Sequence, residues 1–315
     1  MKDKKKIYIL AGLVFIMIGV FLFEGLTPKN FDYNISKRIP RVIAMVITAS
    51  AIAFSSVIFQ TITNNRILTP SILGIDSLYG LSQTALVFAF GSGSIFIANP
   101  TLNFGLSVIL MMLNSLLLYK FVFKKSGNIF FLLLVGTVLG TLFKSMSTFM
   151  QVLIDPNEYD ALTAKIMASF ESVNTDILLV VVIICLVIFA FIYDDIKKYD
   201  VLLLGKEQAI NLGINYEKMA KKTLLIVSIL VSVSIALVGP ITFLGLLVVN
   251  LSYQFIKTYE HKYVIVASML ISILAVITGQ FFVERIFNYN STVSIIINFI
   301  GGVYFIYLLL KESKS

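Results

Sequence analysis

The stretch that decides the fold is Ile177–Tyr193, which reads ILLVVVIICLVIFAFIY and contains no charged residue. A helix needs about 20 predominantly apolar residues, with a range of about 17–25, to cross the hydrocarbon core of a bilayer. Backbone polar groups in lipid must be hydrogen-bonded within the chain, and a helix achieves this within one segment. The stretch therefore predicts a transmembrane helix.

Further apolar runs of similar length lie on both sides of this stretch. The nine others are Ile7–Phe23, Val42–Gln60, Ser71–Phe90, Thr101–Phe123, Ile129–Ile154, Thr223–Val238, Ile241–Ile256, Tyr263–Val283 and Val293–Leu310. The first run resembles a signal peptide, but it ends in Phe21-Leu-Phe-Glu24 without a small-residue cleavage site, so we expect a retained helix. The sequence thus predicts an all-α membrane protein with about ten spans in one domain, residues 1–315.

Composition supports a membrane protein rather than a soluble one. Hydrophobic residues make up 58% of the chain, charged residues 13%, and the mean hydropathy is +0.94. A soluble domain has about 25% charged residues, so this chain could not cover a water-exposed surface. The net charge of +8 would suggest nucleic acid in a soluble protein. Here we assign it to lysines beside an anionic membrane face, and we expect no nucleic-acid partner.

Lysine and arginine predict the orientation. With the N-terminus inside, eighteen of them fall on inside segments and six on outside segments, and Lys144 lies within a span. Basic residues favour the cytoplasmic side, so both termini should be cytoplasmic.

Two loops are longer than simple connectors. Asp155–Asp176 should lie outside, and Asp194–Lys222 should lie inside and form one or two short helices.

The thiol and imidazole content excludes some chemistry. Cys185, the single cysteine, lies in an apolar run and is expected to be a buried small hydrophobe. His261, the single histidine, lies in the polar stretch Lys257–Lys262 and is expected to be a solvated loop residue. One Cys and one His cannot form a zinc or haem site, so we expect no cofactor or metal bound by this chain.

Four motifs recur in order along the chain. They are Arg38-Ile-Pro-Arg41 with the following segment to Gly74, then Leu204-Gly-Lys-Glu-Gln-Ala-Ile-Asn-Leu-Gly-Ile214, Gly239-Pro-Ile-Thr-Phe-Leu-Gly-Leu-Leu-Val248 and Gly301-Gly-Val-Tyr-Phe-Ile-Tyr-Leu-Leu-Leu310. Thr69–Gly74 and Gly239–Gly245 also echo each other at span starts on opposite sides. This echo is either an inverted repeat, which transporters use, or a coincidence of common helix-start residues.

Together these motifs resemble the permease family of ABC importers for iron-siderophores and vitamin B12, the FecCD type. The resemblance implies a type II, vitamin B12 permease-like fold of ten helices. It also implies that this chain imports a chelate whose iron stays within the siderophore. The implied partners are two copies of an ATPase subunit that holds ATP and Mg, a second permease subunit and an extracytoplasmic binding protein or lipoprotein.

Departures from the family pattern narrow the resemblance. Val249-Asn-Leu-Ser-Tyr253 replaces the usual Pro-His-x-x-Arg, Gln280 lies where an Asp is common, and Asn290-Ser-Thr-Val-Ser294 replaces Glu-Leu-Pro-x-Gly. These features resemble the catecholate-siderophore branch, in which two different permease chains often pair. They therefore imply a heterodimer of permeases in a bacterial cytoplasmic membrane.

The resemblance assigns Arg38, Arg41 and Arg285 to docking of the binding protein through its glutamates. Arg38 and Arg41 are three residues apart, so they share one helix face. A cation near a helix N-terminus opposes the macrodipole, so something should compensate these arginines. The alternative is that they are interfacial side chains reaching lipid phosphates.

The resemblance assigns the segment Leu204–Ile214, within the cytoplasmic stretch 194–222, to coupling with the ATPase. Glycines would permit tight turns and leucines would supply apolar anchors. The assigned residues are Leu204, Gly205, Lys206, Glu207, Ala209, Leu212 and Gly213. The alternative is an ordinary amphipathic surface helix. The chain has no Gly-x-x-x-x-Gly-Lys-Ser/Thr loop, so it is not expected to hydrolyse ATP itself.

Polar residues inside spans are costly in lipid, so some should line a path or a helix interface. We name Gln60, Asn64 and Gln83 as path candidates, and Asp76 and Lys144 as the most expensive residues. Three alternatives remain: a secondary transporter with Asp76 as its coupling acid, an ABC permease for a corrinoid or haem, and an intramembrane enzyme. The last lacks a catalytic His/Glu or Asp/Asp pair within the spans.

Overall fold

The computed structural model describes residues 2–28, 31–123, 128–171 and 173–312, and those ranges are helical almost throughout, without a strand. Their helices are α1 (Lys2–Phe23), α2 (Phe31–Thr63), α3 (Ile75–Phe90), α4 (Ile95–Ala98), α5 (Pro100–Leu118), α6 (Ile129–Leu153), α7 (Pro156–Ile166), α8 (Thr175–Ile192), α9 (Ile196–Leu202), α10 (Lys206–Asn211), α11 (Tyr216–Val238), α12 (Leu244–Phe255), α13 (His261–Arg285) and α14 (Val293–Glu312). A π-helical turn, Tyr119–Phe123, extends α5.

The ten expected spans all have a helix. Seven helices are long and apolar enough to cross a membrane, namely α1, α2, α5, α6, α11, α13 and a continuous segment from α8 through α9. α12 and α14 are shorter apolar helices, and α3, with 16 residues, is the tenth. The chain is therefore an integral membrane protein with the predicted helical fold.

Asparagine side chains begin four of these spans. The side-chain oxygens of Asn99, Asn128, Asn174 and Asn215 accept hydrogen bonds from backbone N–H groups in the first turns of α5, α6, α8 and α11. The first N–H groups of a helix have no partner within the helix, so a cap of this kind satisfies them. Capping thus fixes where these spans start, which apolar length alone does not.

The core is built around α2, which packs against α11 and α13. Small residues of α2, including Ala44, Ala49, Ala51 and Ala53, are fully buried. Small side chains let helix backbones approach closely, which drives packing where lipid removes the hydrophobic effect between helices. α2 has 33 residues and is about 50 Å long at 1.5 Å per residue, so it exceeds the bilayer core.

Two of the spans are shortened by breaks. A 3₁₀ turn, Pro70–Leu73, and Gly74 precede α3, and Gly239 and Pro240 precede α12. α12 has 12 residues and is about 18 Å long, which is shorter than a bilayer core about 30 Å thick. The two breaks meet, because Thr242 Oγ1 donates to Asp76 Oδ2 at 2.9 Å. The echoing sequence motifs thus form two helix breaks in contact.

The first break needs glycine for a close approach. A Cβ on Gly74 would lie 3.1 Å from the Cα of Gly140 in α6, and one on Gly136 would lie 2.7 Å from the carbonyl oxygen of Ile72. Both distances are shorter than ordinary contacts, so the backbone of α6 can cross the break only where side chains are absent. This packing holds α6 against the start of α3.

Candidate functional site

Candidate functional residues collect at both ends of the molecule. Following the predicted orientation, we call the end with Arg41 and Arg285 the outer end, and the end with α9 and α10 the inner end. The inner end carries the predicted coupling segment. It folds as two short helices, α9 and α10, with Gly205 as the N-cap of α10. The expectation of short helices in this loop is confirmed.

Backbone geometry explains why two positions of the segment, 205 and 213, are occupied by glycine. Gly205 has φ 95° and ψ 167°, and Gly213 has φ 84°. Residues with side chains rarely adopt such angles. At the C-terminal end, Gly213 N donates to the Ile210 carbonyl and Ile214 N to the Ala209 carbonyl, both at 2.9 Å. This pair of bonds is a Schellman motif, which ends α10 sharply.

The tip of the segment is apolar and exposed. Leu204 is 59% exposed, Ile210 49% and Leu212 62%, whereas Ala209 is fully buried against the body of the protein. Lys206 and Glu207 are exposed beside them, and Lys206 Nζ lies 5.5 Å from the ring centroid of Tyr216. We call Leu204, Ile210 and Leu212 the coupling tip. An apolar projection on a tight turn is suited to insert into a cleft of another protein.

His261 was expected to be a solvated loop residue, and that expectation is wrong. His261 is the first residue of α13 and is fully buried. Its Nδ1 lies 2.8 Å from Asp200 Oδ1, its backbone N donates to the same oxygen at 2.7 Å, and its Nε2 lies 2.7 Å from Thr61 Oγ1. The carboxylate only accepts, so Nδ1 carries a proton. The sequence concealed this because Asp200 and Thr61 are distant along the chain.

This histidine joins the coupling segment to the core. Asp200 belongs to α9, directly before the coupling tip, whereas Thr61 lies in the last turn of α2. Tyr199, the neighbour of Asp200, is also fully buried and its hydroxyl lies 2.8 Å from Thr223 Oγ1 in α11. Two successive residues of α9 therefore attach the segment to three long helices, α2, α11 and α13. Movement of the segment would be transmitted to them.

At the outer end, the three predicted arginines have partners within the chain. Arg38 Nη1 donates to the carbonyls of Phe21, Leu22 and Glu24 at 3.2, 2.9 and 2.8 Å. These carbonyls lie at the C-terminal end of α1, where the macrodipole favours a cation. The compensation expected for Arg38 is thus the end of α1, and this arginine acts as a helix cap.

Arg41 and Arg285 pair with carboxylates instead. Arg41 Nη1 lies 3.4 Å from Glu284 Oε1, and Arg41 Nε donates to the Glu171 carbonyl at 3.2 Å. Arg285 Nε lies 3.3 Å from Glu24 Oε2. The side chains of Arg41 and Arg285 are 20% and 38% exposed, so some of their donors remain reachable from outside. A guanidinium has five donors, and these contacts leave several for a partner.

The three predicted path residues lie in different surroundings. Gln83 is fully buried and bonds Asn103 and Ser107, which clamps α3 to α5. Gln60 is buried in α2, and neither atom of its amide has a hydrogen-bond partner among the described residues. Asn64 follows α2 and is exposed, with φ 47°. Gln60 and Asn64 thus lie near the end of α2, Gln83 lies in α3, and their assignment to a path stays a prediction.

Asp76 accepts hydrogen bonds where the two helix breaks meet, and Cys185 lies in the core. Asp76 lies in the first turn of α3 and faces the start of α12 through Thr242, and the Ser71 hydroxyl also donates to it. Hydroxyl groups from both helix breaks therefore donate to this carboxyl group. Cys185 is fully buried, as expected. Among the described residues, no group of three or more His, Cys, Asp or Glu could hold a metal.

The fold of the chain matches a solved structure. A solved structure described as an inward-facing conformation of a metal-chelate type ABC transporter matches with a TM-score of 0.85, at 20% identity, over 98% of this chain and 99% of the other. With its helical spans and broken helices, the chain has the fold of a membrane permease subunit of ABC importers.

Sequence comparison identifies the family. Residues 7–311 match the FecCD transport family, so the chain belongs to it. The chain is 57% identical to the petrobactin import system permease protein YclO of Bacillus subtilis (strain 168), with full coverage of both chains. It is 25% identical to a second permease protein of that name, YclN, from the same organism, with 96% of each chain covered. The predicted family is confirmed.

Proposed function

We propose that this chain is one permease subunit of an ABC importer that carries a ferric siderophore of the catecholate type across a bacterial cytoplasmic membrane. Membership of the FecCD family and 57% identity to a petrobactin import permease support the siderophore class. The observation that carries the mechanism is the exposed apolar coupling tip on a segment attached to the core. Both termini would then be cytoplasmic.

ATP and Mg would be bound by a separate ATPase, present as two copies, and not by this chain. The coupling tip would sit in a cleft of that ATPase, with Lys206 and Glu207 at the rim. Closure of the ATPase pair would move α9 and α10, and the bonds of Tyr199 and Asp200 would pass that motion to α2, α11 and α13. Switching of this kind moves packed helices between discrete arrangements.

At the outer end, a binding protein or lipoprotein would deliver the chelate. We propose that its carboxylates contact Arg41 and Arg285, whose side chains are partly exposed beside Glu284 and Glu24. Arg38, the third arginine of the original assignment, would support this surface from beneath by capping α1. The iron would stay within the siderophore throughout, so the protein supplies a path and no ligand.

The second permease subunit would be a different chain. Two petrobactin import permeases are found in Bacillus subtilis, and this chain is much closer to one of them. A homodimer would not need two such proteins. A cross-linked pair of two copies of this chain in the working importer would exclude this part of the proposal.

A direct experiment separates this function from its alternatives. The chain would be produced with its partner permease, ATPase and binding protein, and uptake of radioactive iron in a catecholate siderophore would be measured. We expect uptake that requires the ATPase and that excess corrinoid or haem does not inhibit. Uptake without the ATPase would favour a secondary transporter. Inhibition by a corrinoid or haem would favour a permease for that chelate.

A further inference from the structure

The surface of α6 has two exposed sides of different polarity. α6 packs against the rest of the chain through Leu132, Gly136, Gly140 and Ser147. One exposed side is apolar and consists of Phe131, Val138, Leu142, Phe149 and Leu153. The other is polar and consists of Thr137, Thr141, Lys144 and Thr148, which follow each other at helical spacing. We call this second side the polar stripe of α6. The stripe ends towards the inner end, where the exposed Phe130 lies seven residues before Thr137 on the same side.

Lys144 cannot face lipid without a large cost. It lies nine residues before the outer end of α6, so its Cα is about 13 Å below that end at 1.5 Å per residue. A lysine side chain reaches about 6 Å, too little to bring the amine to the interface. Within the described ranges no carboxylate forms an ion pair with it. A charge at such depth faces a partner or a water-filled space.

The threonine hydroxyls of the stripe are hydrogen-bonded within α6. The hydroxyls of Thr137, Thr141 and Thr148 donate to carbonyls one turn earlier, at 2.9, 3.0 and 3.0 Å. Their hydrogens are used within α6, and only acceptor lone pairs point outward. Water can therefore cover these threonines without breaking a hydrogen bond of the helix, and Lys144 supplies the outward donors of the stripe.

The stripe opens into a cavity at the outer end. The cavity has a volume of about 420 Å³ and is lined by Thr148, Gln151, Tyr159 and Asp160, among others. Thr148 belongs to both the stripe and the cavity. The exposed polar stripe therefore leads from Lys144 to this cavity, which has Asp160 in its lining.

We propose that the polar stripe of α6 lines the substrate path and that Lys144 is a specificity-determining residue that attracts an anionic chelate. This inference rests on the proposed function and adds the charge of the substrate. Catechol oxygens lose their protons when they bind iron, so a ferric catecholate is an anion. One cation in a water-filled path with low-dielectric walls favours such a ligand over a neutral one of equal size.

The test uses cysteines on a Cys185→Ser background, in the assembled importer held in nanodiscs, where reagents reach both sides. Thr141→Cys lies on the polar stripe, and the matched control Val138→Cys lies on the apolar side of the same helix. We expect Thr141→Cys to react with charged methanethiosulfonates at least about tenfold faster than Val138→Cys, because the thiol must be hydrated to react. Equal rates would overturn the path assignment.

A second readout reports the charge of Lys144 itself. Residues three apart on a helix are about 5–6 Å from each other, so Lys144 acts directly on a thiol at 141. With Lys144→Met added, the ratio of anionic to cationic reagent rates at Thr141→Cys should fall at least about threefold, and Lys144→Arg should preserve it. An unchanged ratio in the Met variant would contradict the proposal. So would loss of the second permease from that variant, since Lys144 would then pair with a partner carboxylate.

Uptake completes the test. Lys144→Met should lower uptake of a ferric catecholate at least about fivefold, with Lys144→Arg close to wild type. Wild-type uptake in the Met variant would overturn the specificity role. If the thiol reactions behave as expected but the wild-type importer takes up no ferric catecholate, the proposed function fails while the assignment of a cationic path stands.

Discussion

The two ends of the molecule present their partner-binding groups differently. At the outer end, Arg38, Arg41 and Arg285 already bond to carbonyls and carboxylates of the same chain. At the inner end, the coupling tip exposes apolar side chains, and Ala209 is buried beneath them. The outer arginines thus already use part of their hydrogen-bonding capacity within the chain, whereas the inner tip leaves apolar surface uncovered.

This difference between the two ends should affect how tightly each end binds its proposed partner. A binding protein at the proposed outer site would compete with internal ion pairs, so each new contact would contribute only the difference between two similar bonds. An ATPase at the proposed inner site would bury apolar area that is otherwise in water, without breaking a bond. We therefore expect weak, salt-dependent docking outside and firm association inside. This suits a carrier that must leave after delivery and a motor that stays attached.

The largest effect is expected from Gly213→Val. Its backbone angle of φ 84° excludes a β-branched residue, so the Schellman motif should break and the tip should be displaced. Uptake should fall by at least about a hundredfold, because the tip is the only proposed link to ATP hydrolysis. Gly213→Asn is the matched control, since asparagine tolerates left-handed angles, and it should keep most activity. Equal uptake in the two variants would contradict the role of the turn.

The second-largest effect is expected from His261→Ala, which should lower the stability of the protein. It leaves Thr61 and part of the Asp200 carboxylate without their partner, at a cost of about 1–3 kcal/mol. The melting temperature of the purified protein should drop by several degrees. Lys262→Ala, at the exposed neighbour, should change it little, since exposed ion pairs contribute about 0–1 kcal/mol. A His261→Ala protein as stable as Lys262→Ala would show that the buried network does not hold α9 to the core.

The third-largest effect is expected on docking of the binding protein at the outer end. Arg41→Ala with Arg285→Ala should weaken binding of the binding protein by roughly tenfold at low salt, because about 1.4 kcal/mol is one decade. High salt should reduce the difference in affinity between the double variant and the wild type, since it screens exposed charges. Lys37→Ala is a nearby control that removes a charge without a proposed contact. Unchanged affinity in the double variant at low salt would leave the arginines as internal or lipid contacts.

The smallest effect should come from Arg38→Ala, and it should change stability instead of docking. This arginine caps α1, so its loss should cost about 1 kcal/mol of stability and leave the affinity for the binding protein nearly unchanged. Thermal unfolding and binding measured on the same sample separate the two. A drop in affinity without a drop in stability would return Arg38 to the docking surface.

Much of this fold could be predicted from sequence because lipid imposes simple rules. Apolar length located the ten helices, and the glycines of the coupling segment predicted its turns. The helix breaks were visible as Thr69–Gly74 and Gly239–Gly245, although their contact was not. Distances between remote residues could not be predicted, which is why His261 was misplaced: its partners Asp200 and Thr61 come from other helices.

The arginines show a second limit of sequence reasoning. The sequence placed Arg38 and Arg41 at a helix start and required that something compensate their charge. That placement is wrong, because α2 begins at Phe31, seven residues before Arg38. The sequence could not indicate that the end of α1 would serve Arg38 while Glu284 would serve Arg41. That division depends on how three helix ends meet at one surface. It separates a capping arginine from two candidate docking residues.

The most direct test of the inner end places a photoreactive cross-linker at position 212, in Leu212→Cys on a Cys185→Ser background, within the assembled importer. Val152→Cys, highly exposed at the outer end of α6, carries the same cross-linker as a control. The coupling tip should cross-link to the ATPase, with a yield that changes when ATP is added, and position 152 should not. Cross-linking of position 212 to lipid alone, or at a yield equal to the control, would contradict the proposed coupling.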